Sequence, residues 1–119
     1  MRLLGKNADD LYNGVRDLPI VSPHGHCDPA WFSQNKAFPN PAELLITPDH
    51  YVFRMLYSQG ISLESLGIGQ NGHPAEPRKI FRVLAANWHL FLGTASRHWL
   101  NHTFKNVFGI TEKLAAETA

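Results

Sequence analysis

Apolar residues recur at helical spacing along most of this chain, beginning close to the N-terminus. Leu11, Val15 and Leu18 follow one another at i, i+4 and i+7, which is the pattern of an amphipathic helix. Asn7 precedes them and is a favourable N-cap residue. The pattern predicts a first helix whose apolar face packs against another part of the protein.

Three later helices are expected where a capping residue stands directly before a proline. These dipeptides are Asp28-Pro29, Asn40-Pro41 and Thr47-Pro48. Proline suits the first helical position because its missing N–H has no intrahelical partner there. The helix opened by Thr47-Pro48 is expected to be the longest of the three and to end before Gly60.

The longest predicted helix begins at Pro77 and continues to Gly93, and a further helix is expected to be capped by Ser96. Apolar positions on the two longer helices share one face in each case, which predicts the core of the fold. The predicted core positions are Val52, Met55, Leu56, Ile80, Leu84, Trp88 and Phe91.

A single segment has the character of a β-strand. Residues 19–22 form a short apolar run bounded by Pro19 and Pro23, which predicts a buried strand ending in a functional loop. The chain is otherwise mostly helical, and a lone strand leaves its backbone N–H and C=O groups without partners. We therefore expect the strand to pair with a second copy, or the chain to be part of something larger.

Composition and charge exclude several classes of function. The chain has 119 residues, which suits one domain, and 44% hydrophobic residues, enough for a packed core. The net charge is +1 and the basic residues are scattered, so a nucleic-acid partner is not indicated. Cys27 is the only cysteine, which fits a reducing compartment, and no apolar stretch is long enough for a signal peptide or a membrane span. A cytoplasmic protein is expected.

Two histidines directly follow the predicted strand. In His24-Gly25-His26 the imidazoles are two residues apart, so on extended backbone both project to the same side. Histidine is a common ligand of zinc and similar divalent ions. The pair predicts part of a metal site completed by other donors, with Cys27, Asp28 and His50 as the nearest candidates. The alternative is that both histidines are loop residues satisfied by backbone and water.

A second polar group lies on the helix after Thr47-Pro48. His50, Tyr51 and Arg54 lie close together on it, and core packing does not require them. His98 and His102 have i, i+4 spacing, which also occurs in metal sites. No glutamate follows His98 to complete a zinc-protease pattern, so these two are interpreted as surface or packing histidines.

Three blocks of the sequence resemble uronate isomerase, a family also called glucuronate isomerase, within the metal-dependent amidohydrolase superfamily. The blocks are Leu18-Pro19-Ile20-Val21-Ser22-Pro23-His24-Gly25-His26, then residues 48–60 beginning Pro48-Asp49-His50-Tyr51, and then Trp99-Leu100-Asn101-His102 with Val107-Phe108-Gly109-Ile110. They occur in the order of the family's N-terminal part. The superfamily often has an aspartate where Ser22 stands, but Ser-Pro-His-Gly-His is a form found within this isomerase family.

The resemblance implies an α/β parent fold, a distorted (β/α)8 TIM barrel of the amidohydrolase type. Residues 1–119 would form a single N-terminal segment of that barrel domain, comprising its first strand and the helical excursion that follows. Active sites of such barrels lie at the C-terminal ends of the strands. The His24-Gly25-His26 loop would then have the position of an active-site loop.

The resemblance also implies chemistry for particular residues. His24 and His26 would ligate a divalent metal ion, expected to be zinc, and His50 and Tyr51 would be catalytic and contact the substrate together with Arg54. The substrate would be a uronate sugar acid, with D-glucuronate and D-fructuronate, or D-galacturonate and D-tagaturonate, interconverted through an enediol. A homo-oligomer is expected. The remaining ligand and the catalytic base have no counterpart here, so residues 1–119 alone are expected to be inactive.

Two other functions stay open at the level of sequence. One is a different metal-dependent hydrolase of the same superfamily, which would activate water instead of moving a substrate proton. The other is a non-catalytic helical oligomerisation module, in which aromatic positions such as Trp88 and Trp99 serve assembly.

Overall fold

The regular structure of this protein is helical. The computed structural model describes residues 6–22, 25–69 and 75–119. Its α-helices are α1 (Lys6–Val15), α2 (Pro29–Gln34), α3 (Pro41–Leu45), α4 (His50–Tyr57), α5 (Pro77–Ala86) and α6 (Ala95–Asn106), with 3₁₀ turns at Glu64–Leu66 and Trp88–Phe91. Within those three ranges α6 is the longest helix, and none has the length and apolar character needed to cross a membrane.

The helix starts predicted at two Asx-Pro dipeptides are confirmed. The Asp28 carboxylate accepts a hydrogen bond from the Ala30 N–H, and α2 begins at Pro29. The Asn40 side chain accepts from the Glu43 N–H, and α3 begins at Pro41. In both cases the cap side chain satisfies a backbone donor that the helix leaves open.

Two other helix starts differ from the prediction by two residues. Thr47 does not cap α4, because its hydroxyl donates to the Leu66 carbonyl; the cap is Asp49. Ser96 does not cap α6, because Thr94 accepts from the Arg97 N–H and the helix begins at Ala95. Each true cap is a favourable residue close to the predicted one, so pattern alone did not separate them.

The long helix predicted from Pro77 to Gly93 is interrupted at Asn87. There the backbone leaves helical geometry, and the Asn87 amide donates to the Val83 carbonyl at 2.9 Å. Such side-chain bonds compete with continuation of a helix. The chain then proceeds as the 3₁₀ turn Trp88–Phe91, whose two aromatic ends are both buried.

The core lies between α3, α4, α5, the 3₁₀ turns and α6. Six of the seven predicted core positions are buried, and Met55 is partly buried against them. The buried residues are Ala42, Ile46, Val52, Leu56, Leu66, Ile80, Leu84, Ala85, Trp88, Phe91 and Phe104. Because Val52 and Leu56 fix the inner face of α4, the opposite face of that helix is held outward.

The strand predicted at residues 19–22 is not formed. Within residues 6–22, 25–69 and 75–119 no strand is present, and residues 19–22 are irregular. Ile20 and Val21 are 94% and 88% exposed. A strand is defined by hydrogen bonds to a second strand, and the described parts of the chain supply none.

The apolar face of α1 is also not packed as predicted. No residue of α1 is buried, and Leu11, Val15 and Leu18 are largely exposed. The radius of gyration is 16.6 Å, whereas a compact domain of this length would have about 13.5 Å. The apolar surface of α1 and Leu18 is therefore left uncovered by the other residues that the structure describes.

Candidate active site

The candidate site lies where the loop before α2 meets the first turn of α4. His26 belongs to that loop, and its side chain is 17% exposed. Its Nδ1 lies 2.9 Å from Oδ1 of Asp49. This contact joins two parts of the chain that are 23 residues apart in sequence.

Asp49 has a second role in the same place. The same Oδ1 accepts a hydrogen bond from the Tyr51 N–H at 2.9 Å, which makes Asp49 the N-cap of α4. The side chains of His50 and Tyr51 emerge from the helix turn that this cap starts. The loop histidine and the helix start are therefore tied to one oxygen atom.

Three rings form a cluster around this junction. The ring centroids of His26 and His50 are 4.3 Å apart, and each lies 4.5 Å from the centroid of Tyr51. His50 and Tyr51 are exposed, so the cluster has one open side. Aromatic and imidazole rings at these separations are in direct contact.

Arg54 extends the cluster along α4. Its guanidinium lies 4.8 Å from the Tyr51 ring centroid, in a cation–π arrangement between helix neighbours three residues apart. A pocket of about 350 Å³ borders Tyr51 and Arg54 and continues to Thr94, Ser96 and Trp99. A cation, a phenol and hydroxyl groups around one opening can bind a small polar anion.

The donor set at the junction suits a divalent cation. Ligand atoms of His26, Asp49 and His50 all lie within 4.8 Å of one another. Imidazole nitrogen and carboxylate oxygen are the donors that zinc and related ions take from proteins. The residues present therefore fit part of a metal site, and His26 is the less exposed of its two histidines.

Four of the five predicted site residues lie together in the structure. These are His26, His50, Tyr51 and Arg54. His24 lies outside the described residues. Of the further donors considered, Cys27 is exposed and Asp28 caps α2. Asp49 is a further residue of the site that the sequence pattern does not assign. Its signal is its place directly before His50, where a capping carboxylate also lies at the edge of the site.

The two histidines of α6 are not among the metal donors that the described residues bring together at this junction. His98 and His102 are both exposed, as the interpretation as surface histidines expected.

Comparisons with known proteins agree over almost the whole chain. The family model described as glucuronate isomerase matches residues 2–119. The uronate isomerase of Brucella canis is 56% identical over 115 residues, covering 94% of this chain and 25% of the relative. The uronate isomerase of Sphingopyxis alaskensis is 58% identical over 112 residues, covering 94% of this chain and 23% of the relative.

A solved structure shows the same arrangement of the backbone. The crystal structure of glucuronate isomerase from Caulobacter crescentus is 52% identical, with a TM-score of 0.81, and the match covers 94% of this chain and 24% of that chain. The chain thus spans about a quarter of the length of the relatives it matches.

Proposed function

Because this chain belongs to the glucuronate isomerase family, we propose that it forms the N-terminal part of a uronate isomerase. The reactions would interconvert D-glucuronate with D-fructuronate and D-galacturonate with D-tagaturonate. The observation that carries this proposal is the family match from residue 2 to 119, which includes every residue of the cluster at His26, His50, Tyr51 and Arg54.

The parent fold in this proposal is a distorted (β/α)8 barrel. Residues 1–119 would be one segment of its single domain and would pack on the remaining polypeptide. The exposed apolar face of α1 supports this, as does an apolar groove of about 760 Å³ that is open to solvent. The groove is lined by Phe38, Leu44, Leu45, Phe81, Phe104 and Ile110, among others. Large exposed apolar surfaces mark places where further polypeptide packs.

His24 and His26 are the proposed protein ligands of a divalent ion, with zinc as the first candidate. The position of His26 among nitrogen and oxygen donors supports this assignment. When bound, such an ion would polarise substrate oxygens and stabilise developing negative charge. The remaining ligand would come from polypeptide outside residues 1–119.

Residues of α4 would bind the substrate and move protons. Isomerisation removes a proton from C2, passes through an enediol and returns a proton at C1. The fork of the Arg54 guanidinium suits the substrate carboxylate, and Tyr51 and His50 can exchange protons with neighbouring hydroxyl oxygens. The base that removes the C2 proton would lie outside this chain. Residues 1–119 alone would therefore show no turnover.

A chimera tests this proposal. Residues 1–119 would replace the matching quarter of the Caulobacter crescentus enzyme, and ketose formation from D-glucuronate would be followed by NMR. We expect the chimera to isomerise glucuronate, and we expect the 119-residue chain alone to form no ketose. An inactive but folded chimera would contradict the proposal, and so would full turnover by the chain alone.

A pair of histidine variants tests whether His50 takes part in catalysis. In the chimera, His50→Ala should lower kcat/KM by about 10²-fold or more, since proton transfer by a positioned group contributes on that order. The control is His102→Ala, which removes an exposed histidine of α6. Equal losses in the two variants would remove His50 from the catalytic residues.

A further inference from the structure

We propose that Asp49 is a positioning residue that fixes the tautomer and orientation of the His26 imidazole for a metal ion. This inference rests on the proposed function, because it assigns Asp49 a task at the metal site. The carboxylate acts through His26 and also starts the helix that carries His50 and Tyr51.

The hydrogen bonds at Asp49 determine which partner donates. Oδ1 accepts the Tyr51 N–H, and a backbone N–H can only donate. An ionised carboxylate has no proton to donate, so Oδ1 is the acceptor in both contacts, and His26 Nδ1 carries the proton that lies between Nδ1 and Oδ1. In that tautomer the lone pair of the neutral ring is on Nε2, which is the atom that would face a metal.

Sharing of one oxygen also sets the relative placement of two segments. The hydrogen bond to Asp49 fixes the orientation of the His26 ring, and the Asp49 cap fixes the first turn of α4. The contacts of 4.3 Å to His50 and 4.5 Å to Tyr51 follow from this junction. A carboxylate bound to the second nitrogen of a ligating histidine is the usual outer-shell arrangement in metal sites, and its loss typically weakens metal binding 10- to 100-fold.

Direct ligation by Asp49 is the competing assignment, since its carboxylate is within reach of both histidines. Two hydrogen bonds already share its Oδ1 at 2.9 Å each, so a metal at this oxygen would compete with the helix cap, and ligation would fall to Oδ2. The contact that the structure shows is the one to His26 Nδ1, and the zinc titration below separates it from ligation through Oδ2.

Two substitutions separate the tasks of this side chain. Asp49→Asn keeps a side-chain oxygen that can cap α4 and accept from Nδ1, but it removes the charge. Asp49→Ser keeps an N-cap hydroxyl, but its shorter side chain does not reach His26. The matched control is Asp28→Ser, which makes the same change at the N-cap of α2, where the carboxylate accepts from the Ala30 N–H.

The first measurement is made on the metal-free 119-residue chain. Long-range ¹H–¹⁵N NMR at a pH where the histidines are neutral reports which ring nitrogen carries the proton. We expect the Nδ1–H form of His26 in the wild type, in Asp49→Asn and in Asp28→Ser, and a shift towards the Nε2–H form in Asp49→Ser. An unchanged tautomer in Asp49→Ser would overturn the proposal.

The second measurement is titration of the metal-free chimera, carrying the same substitutions, with zinc alone, followed by calorimetry. Asp49→Ser should bind zinc 10- to 100-fold more weakly than the wild type, and Asp49→Asn should lose distinctly less. Equal losses in the two variants would indicate direct ligation and overturn the positioning role. A wild-type chimera that binds no zinc contradicts the metal assignment in the proposed function, while a tautomer change in Asp49→Ser still supports the hydrogen bond between Asp49 and His26.

Discussion

Replacing Leu56 with alanine tests the part of the core that holds α4 in place. Leu56 is 0% exposed and lies on the side of α4 away from the ring cluster. Truncating a fully buried leucine removes its transfer free energy and leaves a cavity, which together cost about 2–5 kcal/mol. Single domains have a free energy of unfolding of about 5–15 kcal/mol, so this loss is a large share of the total.

The assay is urea unfolding followed by tryptophan fluorescence. Trp88 is 3% exposed and reports on the core. With a urea dependence of about 2 kcal/mol per molar, Leu56→Ala should lower the midpoint by about 1–2.5 M with an unchanged slope. The zinc affinity of the chimera should fall as well, because the helix start at Asp49, which contacts His26, loses its support.

The control is the same substitution at an exposed position. Leu11 of α1 is 74% exposed, and Leu11→Ala should change the free energy of unfolding by less than about 0.5 kcal/mol. A cost below about 1 kcal/mol for Leu56→Ala would refute the core assignment. Equal costs for the two variants would refute the exposed position of α1.

The other predictions concern backbone conformation, helix capping and substrate binding. Gly67→Ala should lower the free energy of unfolding by about 1 kcal/mol or more, because its φ is +77°, whereas Gly14→Ala meets open space and should not lower it; thermal melts compare them. Thr94→Ala should cost about 1 kcal/mol through loss of the α6 cap, and Ser96→Ala less than half of that in the same urea assay. In the chimera, Arg54→Lys should raise KM for glucuronate about tenfold with a smaller change in kcat, because lysine lacks the bidentate fork; an unchanged KM would remove Arg54 from the carboxylate site.

Local chemistry could be predicted from the sequence, and pairing between distant segments could not. The helix starts at Pro29 and Pro41 depend on side chains one to three residues away, so their dipeptides sufficed. The strand predicted at residues 19–22 depends on a partner strand, which no pattern within those residues can supply. The interruption at Asn87 can be predicted only in part, because an asparagine in a helical pattern is a weak signal for the end of a helix.

The same division applies to the candidate site. His50, Tyr51 and Arg54 share one short helix, so their proximity follows from helical spacing. The contact between His26 and Asp49, which brings the loop to this helix, joins positions 23 residues apart, and no local pattern indicates it. The pattern does not assign Asp49 to the site, because a helix that starts after Thr47 places this residue in the first turn, where a carboxylate is ordinary.

The oxygen shared by His26 and Tyr51 makes one backbone amide a reporter of the site. Hydrogen exchange at the Tyr51 N–H requires that its bond to Asp49 opens, and that carboxylate is oriented by the imidazole. An ion or substrate that orders the His26 ring should therefore slow hydrogen exchange at this amide. Because linked equilibria are reciprocal, a change that stabilises the α4 cap should strengthen binding by the same free energy.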